Sequence, residues 1–255
     1  IRTRDYWRMI SGVDQALGRV LDALEERGLA GDTVIVFTSD NGAEKNSDIA
    51  TGPFRSHKGS TYEGGHRVPF LVSWGQGGIG DGDAETAGQT NASPIVLTDM
   101  FATFAELIGA PLPNLSSGGK GAEDSFSVLD VWRGEDPEAR PPIFAHDHKE
   151  AKGDNAISAI RVDNPRVEGR VYPGQWKMFF GPDLLRKGTT SPIELYDLKT
   201  DRREANNLLG GGVPAPLVEH LSELARFHRN IGGHRLAELP VENVSVFSLT
   251  AAEGE

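Results

Sequence analysis

The chain contains no cysteine, which excludes disulfides and thiolate metal ligands anywhere in its 255 residues. It has no long hydrophobic run, so no transmembrane helix and no membrane insertion are expected. It is short of positive charge, with 26 basic against 37 acidic residues and a net charge of -11. No basic patch interleaved with aromatics occurs, which excludes nucleic acid as a partner. No signal peptide and no internal repeat are visible. The length is sufficient for one large or two small domains.

The most informative segment that is present is the run Thr33-Val34-Ile35-Val36-Phe37-Thr38-Ser39, followed by Asp40-Asn41-Gly42. A run so apolar and β-branched, without polar alternation, predicts a strand covered on both faces of a parallel sheet. In open α/β sheets chemistry gathers beyond the carboxyl ends of such strands. Asp40 and Asn41 there offer one carboxylate and one amide oxygen, donors that suit calcium or magnesium. Asp-Asn-Gly is equally an ordinary turn.

Further on stands Lys58-Gly59-Ser60-Thr61-Tyr62-Glu63-Gly64-Gly65-His66-Arg67-Val68-Pro69, leading into a second predicted strand, Val68 to Trp74. A lysine in a glycine-rich turn can approach an anion closely. A cation site followed by an anion-binding lysine points to a substrate carrying phosphate or sulfate.

Around these motifs, residues 3–27 predict an amphipathic helix with Trp7, Ile10, Leu17, Val20, Leu21 and Leu24 on one stripe, ended by Gly28. Asp14 lies on that stripe and is expected to be a buried structural acid. Gly75 to Gly80 formally fits a dinucleotide fingerprint, but Asp81-Gly82-Asp83 would repel a pyrophosphate and opens a helix poorly, so a surface loop is expected. Residues 94–107 predict a turn and a helix with Met100, Phe101, Phe104 and Leu107 at core spacing. From about residue 140 the pattern changes to short runs, Pro142–Ala145, Ala156–Val162, Gln175–Phe180 and Ile193–Leu198, which predict an antiparallel sheet. Leu217, Leu221, Leu224 and Phe227 mark a C-terminal helix, and residues 236–255 read as a tail.

Ser39-Asp40-Asn41-Gly42 and the Lys58 to Pro69 motif resemble the sulfatase family of the alkaline-phosphatase superfamily. The resemblance extends back through Tyr6, Asp14, Gly18 and Leu24. It extends forward to Glu194-Leu195-Tyr196-Asp197-Leu198, Asp201, Glu204, Asn206 and Asn207. It implies an α/β fold, part of a mixed and mainly parallel sheet flanked by helices, plus a small C-terminal antiparallel sheet with a packed helix. The expected division is residues 1–138 as the C-terminal part of the catalytic domain, 139–235 as the small subdomain and 236–255 as the tail. It implies a calcium ion, with magnesium as the alternative, held in part by Asp40 and Asn41. Lys58 would contact the sulfate.

The family's nucleophile is a formylglycine made from Cys or Ser in a Cys/Ser-x-Pro/Ala-x-Arg motif, and no such motif occurs here. Beginning at Ile1 inside a charged helical segment, the chain reads as the C-terminal half of a sulfatase, inactive alone. The implied substrate is a small-molecule or carbohydrate sulfate ester. The implied location is extracytoplasmic: periplasmic, secreted or lysosomal. A phosphoryl or phosphonate hydrolase of the same superfamily, and a binding module without chemistry, are the alternatives.

Among the neighbouring side chains, Glu63 and Arg67 are four apart and are expected to pair and brace the turn that holds Lys58. His57 is placed either to reach the ester oxygen as an acid or to cap the loop, and the cap is the preferred expectation. In His146-Asp147-His148, His146 is a candidate substrate-lining residue. His220, His228 and His234 are expected to be peripheral.

Overall fold

The computed structural model describes residues 3–44, 51–80, 88–114, 119, 121–135, 140–146, 157–182, 184 and 191–231. The expected tail, Asp147, His148 and His234 lie outside them. The chain divides into two compact units. One comprises Ile1–Ser93 with Asp130–Asp136, and the other Pro94–Leu129 with Pro137–Glu255.

In the first unit, helix α1 spans Thr3–Glu26. It ends as the sequence predicts: Gly28 takes φ 66°, its amide bonds Glu25 O, and the Leu29 amide bonds Leu24 O. This pair of bonds is a Schellman closure, which needs the left-handed conformation that glycine adopts at least cost. The apolar stripe of α1 is largely uncovered among the described residues. Trp7 is 47% and Val20 56% exposed. Asp14 is exposed as well, so its reading as a buried acid is corrected.

A 3-10 turn, Ala30–Asp32, leads into β1, Ile35–Thr38. After the Asp40 turn come α2, Glu63–His66, and β2, Phe70–Ser73. Of the mixed sheet expected, the described residues of this unit show one pair of strands. β1 and β2 pair antiparallel, in the register Ile35↔Ser73 to Thr38↔Phe70, and every residue of β1 is only half-buried. The physical reason lies in the connection. A parallel return needs a crossover, usually a long helix. The described part of this connection holds only the single turn of α2. Antiparallel return brings residues 55–67 back to the end of β1 where Asp40 lies. Beyond β2, Trp74 and Ile79 exchange backbone bonds of 2.8 and 3.1 Å, closing the glycine-rich loop as a tight turn.

In the second unit, α3 spans Asp99–Leu107 and α4, Leu129–Trp132, begins where the chain crosses between units. The predicted core face of α3 is corrected. Ala102, Thr103 and Ala105 are buried, whereas Phe101 and Phe104 are exposed. Polar bonding sets the rotation: Thr103 Oγ1 donates to Asp99 O at 2.8 Å and accepts from the Val128 amide at 3.0 Å. Buried Asp99 takes two bonds from Arg140, at 2.7 and 2.9 Å. Burial raises the Asp99 carboxyl above its usual range, and the guanidinium opposes that shift.

The sheet of this unit is antiparallel as predicted. β3 (Ile143–His146), β4 (Ser158–Asp163), β7 (Gln175–Phe180) and β8 (Pro192–Asp197) lie in the order β3-β4-β7-β8. A small hairpin, β5 (Arg166–Val167) and β6 (Arg170–Val171), joins β4 to β7. The C-terminal helix α5, Ala215–Ile231, lays Leu217, Leu221, Leu224 and Ala225 against Ile160, Met178, Phe180 and Leu195. Under this core, Lys177 and Glu204 form a fully buried ion pair at 2.9 Å.

Candidate functional site

The Asp40 turn and the Lys58 loop are docked main chain to main chain. The Gly42 amide donates to Gly65 O at 2.9 Å, and the Lys58 amide donates to Ala43 O at 2.9 Å. The approach is close enough that only glycine fits. A Cβ on Gly42 would stand 1.9 Å from Gly64 O, and one on Gly65 would stand 2.0 Å from Ser60 O. The sequence pattern Asn-Gly and Glu-Gly-Gly is thus the condition for bringing the two motifs together.

Side chains stiffen the same loop. Glu63 is 1% exposed; its Oε2 accepts from Arg67 at 3.1 Å, and its Oε1 lies 3.4 Å from His66 Nε2. The i,i+4 pair expected from the spacing is therefore present. Arg67 also lies over the Phe54 ring at 4.8 Å, and Arg55 over the Tyr62 ring at 3.7 Å. These contacts fix a loop that has only one helical turn of its own.

On this frame Asp40 is exposed and Asn41 half-buried. The Ser39 hydroxyl donates to Asn41 O at 3.1 Å, which holds the turn. Among the described residues the Asp40 carboxylate has no hydrogen-bond or ion-pair partner. Such an oxygen pair fits part of a calcium or magnesium site, which takes roughly six to eight oxygens for calcium and six for magnesium. The described residues hold no group of three or more acidic or imidazole ligands that would complete it. Lys58 is half exposed, and its Nζ lies 4.0 Å from Glu44, three residues beyond Asn41. Glu44 was not anticipated: nothing in its local pattern marks it, and only the Ala43–Lys58 bond brings it to the lysine.

His57 donates from Nδ1 to Lys58 O at 2.9 Å, which agrees with the capping expectation. His146 lies in the other unit, at the end of β3, with Nδ1 3.0 Å from Ser158 Oγ. His228 corrects the view of the late histidines as peripheral. Its ring stacks on Phe144 at 3.5 Å and 8°, with His146 at 6.1 Å. Burial, and next the nearby His146, push the His228 imidazole down to about 4. Burial lowers His146 too.

The acids and amides at and after the end of β8 are structural in their contacts. Asp197 Oδ1 accepts from the Gln175 and Lys199 amides at 2.9 and 3.0 Å. Asp201 Oδ2 accepts from the Ala205 and Asn206 amides. Asn207 bridges Ile193, Leu195 and Leu209. Each replaces strand or turn bonds that the backbone cannot make there.

A strand-end carboxylate and amide are thus docked on a glycine-bound lysine loop within an α/β fold. Residues 2–110 match the sulfatase family model. The chain is 34% identical to mouse steryl-sulfatase, covering 88% of this chain and 37% of that protein. It is 30% identical to human arylsulfatase A, covering 83% and 41%. Among solved structures, Ps i-CgsB in complex with k-i-k-neocarrahexaose superposes with a TM-score of 0.57 at 26% identity, covering 78% of this chain and 37% of that one. The chain belongs to the sulfatase family. It spans 37% to 41% of the length of these curated relatives. No helix among the described residues is long and apolar enough to cross a membrane.

Proposed function

We propose that the protein carrying this chain is a sulfuric ester hydrolase, and that this chain supplies its Asp40, Asn41 and Lys58 corner. The observation that supports the reading is the paired docking of Gly42 on Gly65 and of Lys58 on Ala43, which brings the turn carrying Asp40 and Asn41 to the loop carrying Lys58. Asp40 and Asn41 would hold part of a calcium ion's shell, with magnesium as the alternative. When bound, the ion would offset negative charge on the sulfate. Lys58 would exchange Glu44 for a non-bridging sulfate oxygen and stabilise the charge that develops there. Glu63 and Arg67 would keep the loop, and so the lysine, in place.

The chain has no cysteine and no Ser-x-Pro/Ala-x-Arg, so the formylglycine nucleophile would come from sequence beyond these residues. On this reading residues 1–138 are the C-terminal part of the catalytic domain and 139–235 a subdomain that can bring His146 to a substrate. The substrate would be a small-molecule or carbohydrate sulfate ester, and the location extracytoplasmic. The test is sulfate release by the intact protein, with calcium, from an aryl sulfate beside the matched aryl phosphate. Preference for the phosphate would favour the phosphoryl-hydrolase alternative, and turnover of neither would favour a binding module.

A further inference from the structure

We propose that Asn41-Gly42 is a latent deamidation site, kept shut by the docking of the Asp40 turn on the lysine loop. The proposal concerns the chemistry of these two residues and does not depend on the sulfatase reading.

Asn41-Gly42 is the one Asn-Gly pair in the chain. In such a pair the glycine main-chain nitrogen can attack the asparagine Cγ, because no Cβ screens it. The new N–Cγ bond closes a five-membered imide. The carboxamide nitrogen leaves as ammonia, taking the proton that the Gly42 nitrogen gives up. Water then opens the ring at one of its two carbonyls. One opening yields an aspartyl residue. The other yields an isoaspartyl residue, whose main chain runs through the former side chain. Either product carries a carboxylate where an uncharged group stood.

The two reacting groups are held very differently. The half-buried Asn41 has no hydrogen-bond partner on its carboxamide among the described residues, so the electrophile is uncommitted. The nucleophile is committed: the Gly42 amide donates to Gly65 O at 2.9 Å. The other side of the same peptide is held as well, since Asn41 O accepts from the Ser39 hydroxyl at 3.1 Å. Cyclisation requires this peptide to rotate until the Gly42 nitrogen faces Cγ, and requires its N–H to lose the proton. Both are blocked while the two bonds stand. Close packing adds to the restraint, for a Cβ on Gly42 would stand 1.9 Å from Gly64 O. The missing side chain that permits docking is therefore also what makes the pair reactive once docking is lost.

The isoaspartyl product could not dock again. It inserts one carbon into the main chain between Asn41 and Gly42, a lengthening of about 1.5 Å. The bonds from Gly42 to Gly65 and from Lys58 to Ala43 are both 2.9 Å and leave no slack of that size. Time spent undocked is thus recorded as permanent loss of the joint that sets the position of Lys58.

The experiment incubates the intact protein, folded and in guanidinium chloride, and follows position 41 by peptide mass spectrometry with an isoaspartyl methyltransferase assay. Deamidation there is expected to be about thirtyfold slower in the folded protein, the worth of two ordinary hydrogen bonds. Hydrogen exchange at the Gly42 amide should show protection of the same order, since one opening admits both reactions. Gly65→Ala, whose Cβ would stand 2.0 Å from Ser60 O, should undock the loop and restore most of the unfolded rate. Equal rates in the folded and unfolded wild type would overturn the proposal. So would a slow folded rate with the Gly42 amide unprotected, which would place the lock elsewhere, or an unfolded chain that deamidates at another asparagine before position 41. If Gly65→Ala does not fold, the wild-type comparison and the exchange measurement decide without it.

Discussion

The main-chain amide of Lys58 donates to the carbonyl of Ala43 across 2.9 Å, so the position of the lysine is set by the turn that carries Asp40 and Asn41. Position and charge can therefore be separated by mutation. Lys58→Ala in the intact protein keeps the amide bond and removes the ammonium. Turnover should fall about a hundredfold or more, while bound calcium measured by metal analysis stays within error. Loss of the metal together with turnover would show that the lysine acts through the turn rather than on the sulfate.

Gly42→Ala should do the opposite and damage the frame. Its Cβ would meet Gly64 O at 1.9 Å, and backbone cannot move aside cheaply. A loss of more than about 2 kcal/mol in urea unfolding is expected. Gly12→Ala in α1 is the control, with nothing within 4 Å of its Cβ. Helix propensity alone should make it neutral or stabilising by about 0.5–1 kcal/mol.

Lys177→Met should destabilise the second unit strongly. It strands the Glu204 carboxylate, which is fully buried and 2.9 Å from the ammonium it would lose. Breaking one side of such a pair costs about 3–5 kcal/mol. The double variant Lys177→Met, Glu204→Leu should recover much of that loss in thermal unfolding. Equal damage from the single and double changes would mean that packing, not the stranded charge, is responsible.

His228 makes stability depend on pH in a defined window. Its folded-state value is about 4 against an ordinary 6.5. As pH falls from about 6.5 to 4, the unfolded chain takes up a proton that the folded one refuses, so stability falls. Below about 4 both states are charged and the loss is complete, at about 3 kcal/mol at most. His228→Phe keeps a ring on Phe144 and should flatten the melting temperature across that window. An unchanged slope would assign the effect to other groups, His146 first.

Local patterns in the chain carried much of this arrangement. The strand before Asp40, the lysine loop, the Gly28 helix end, the antiparallel strands from Ile143 onward and the leucine face of α5 all announce themselves within a few residues. The direction of β1 against β2 does not, because it depends on how the connection between Thr38 and Phe70 travels. The rotation of α3 was missed for a related reason. Phe101 and Phe104 look like core, but Asp99 is anchored by Arg140, and Thr103 by Val128, each far along the chain. The Lys177–Glu204 pair and the His228 stack on Phe144 also join distant segments. Hydrophobic spacing has no means of reporting such partners.

The close approach of Gly42, Gly64 and Gly65 has one more consequence. Because main-chain atoms hold the Asp40 turn to the lysine loop, the scaffold is indifferent to which side chains project from the rest of it. Glu44 meets the lysine from that scaffold through its side chain and not through the main-chain joints. A change of side chain at Glu44 would leave those main-chain bonds in place, so the charge facing Lys58 can be altered by a single substitution while the glycines keep the lysine where it is.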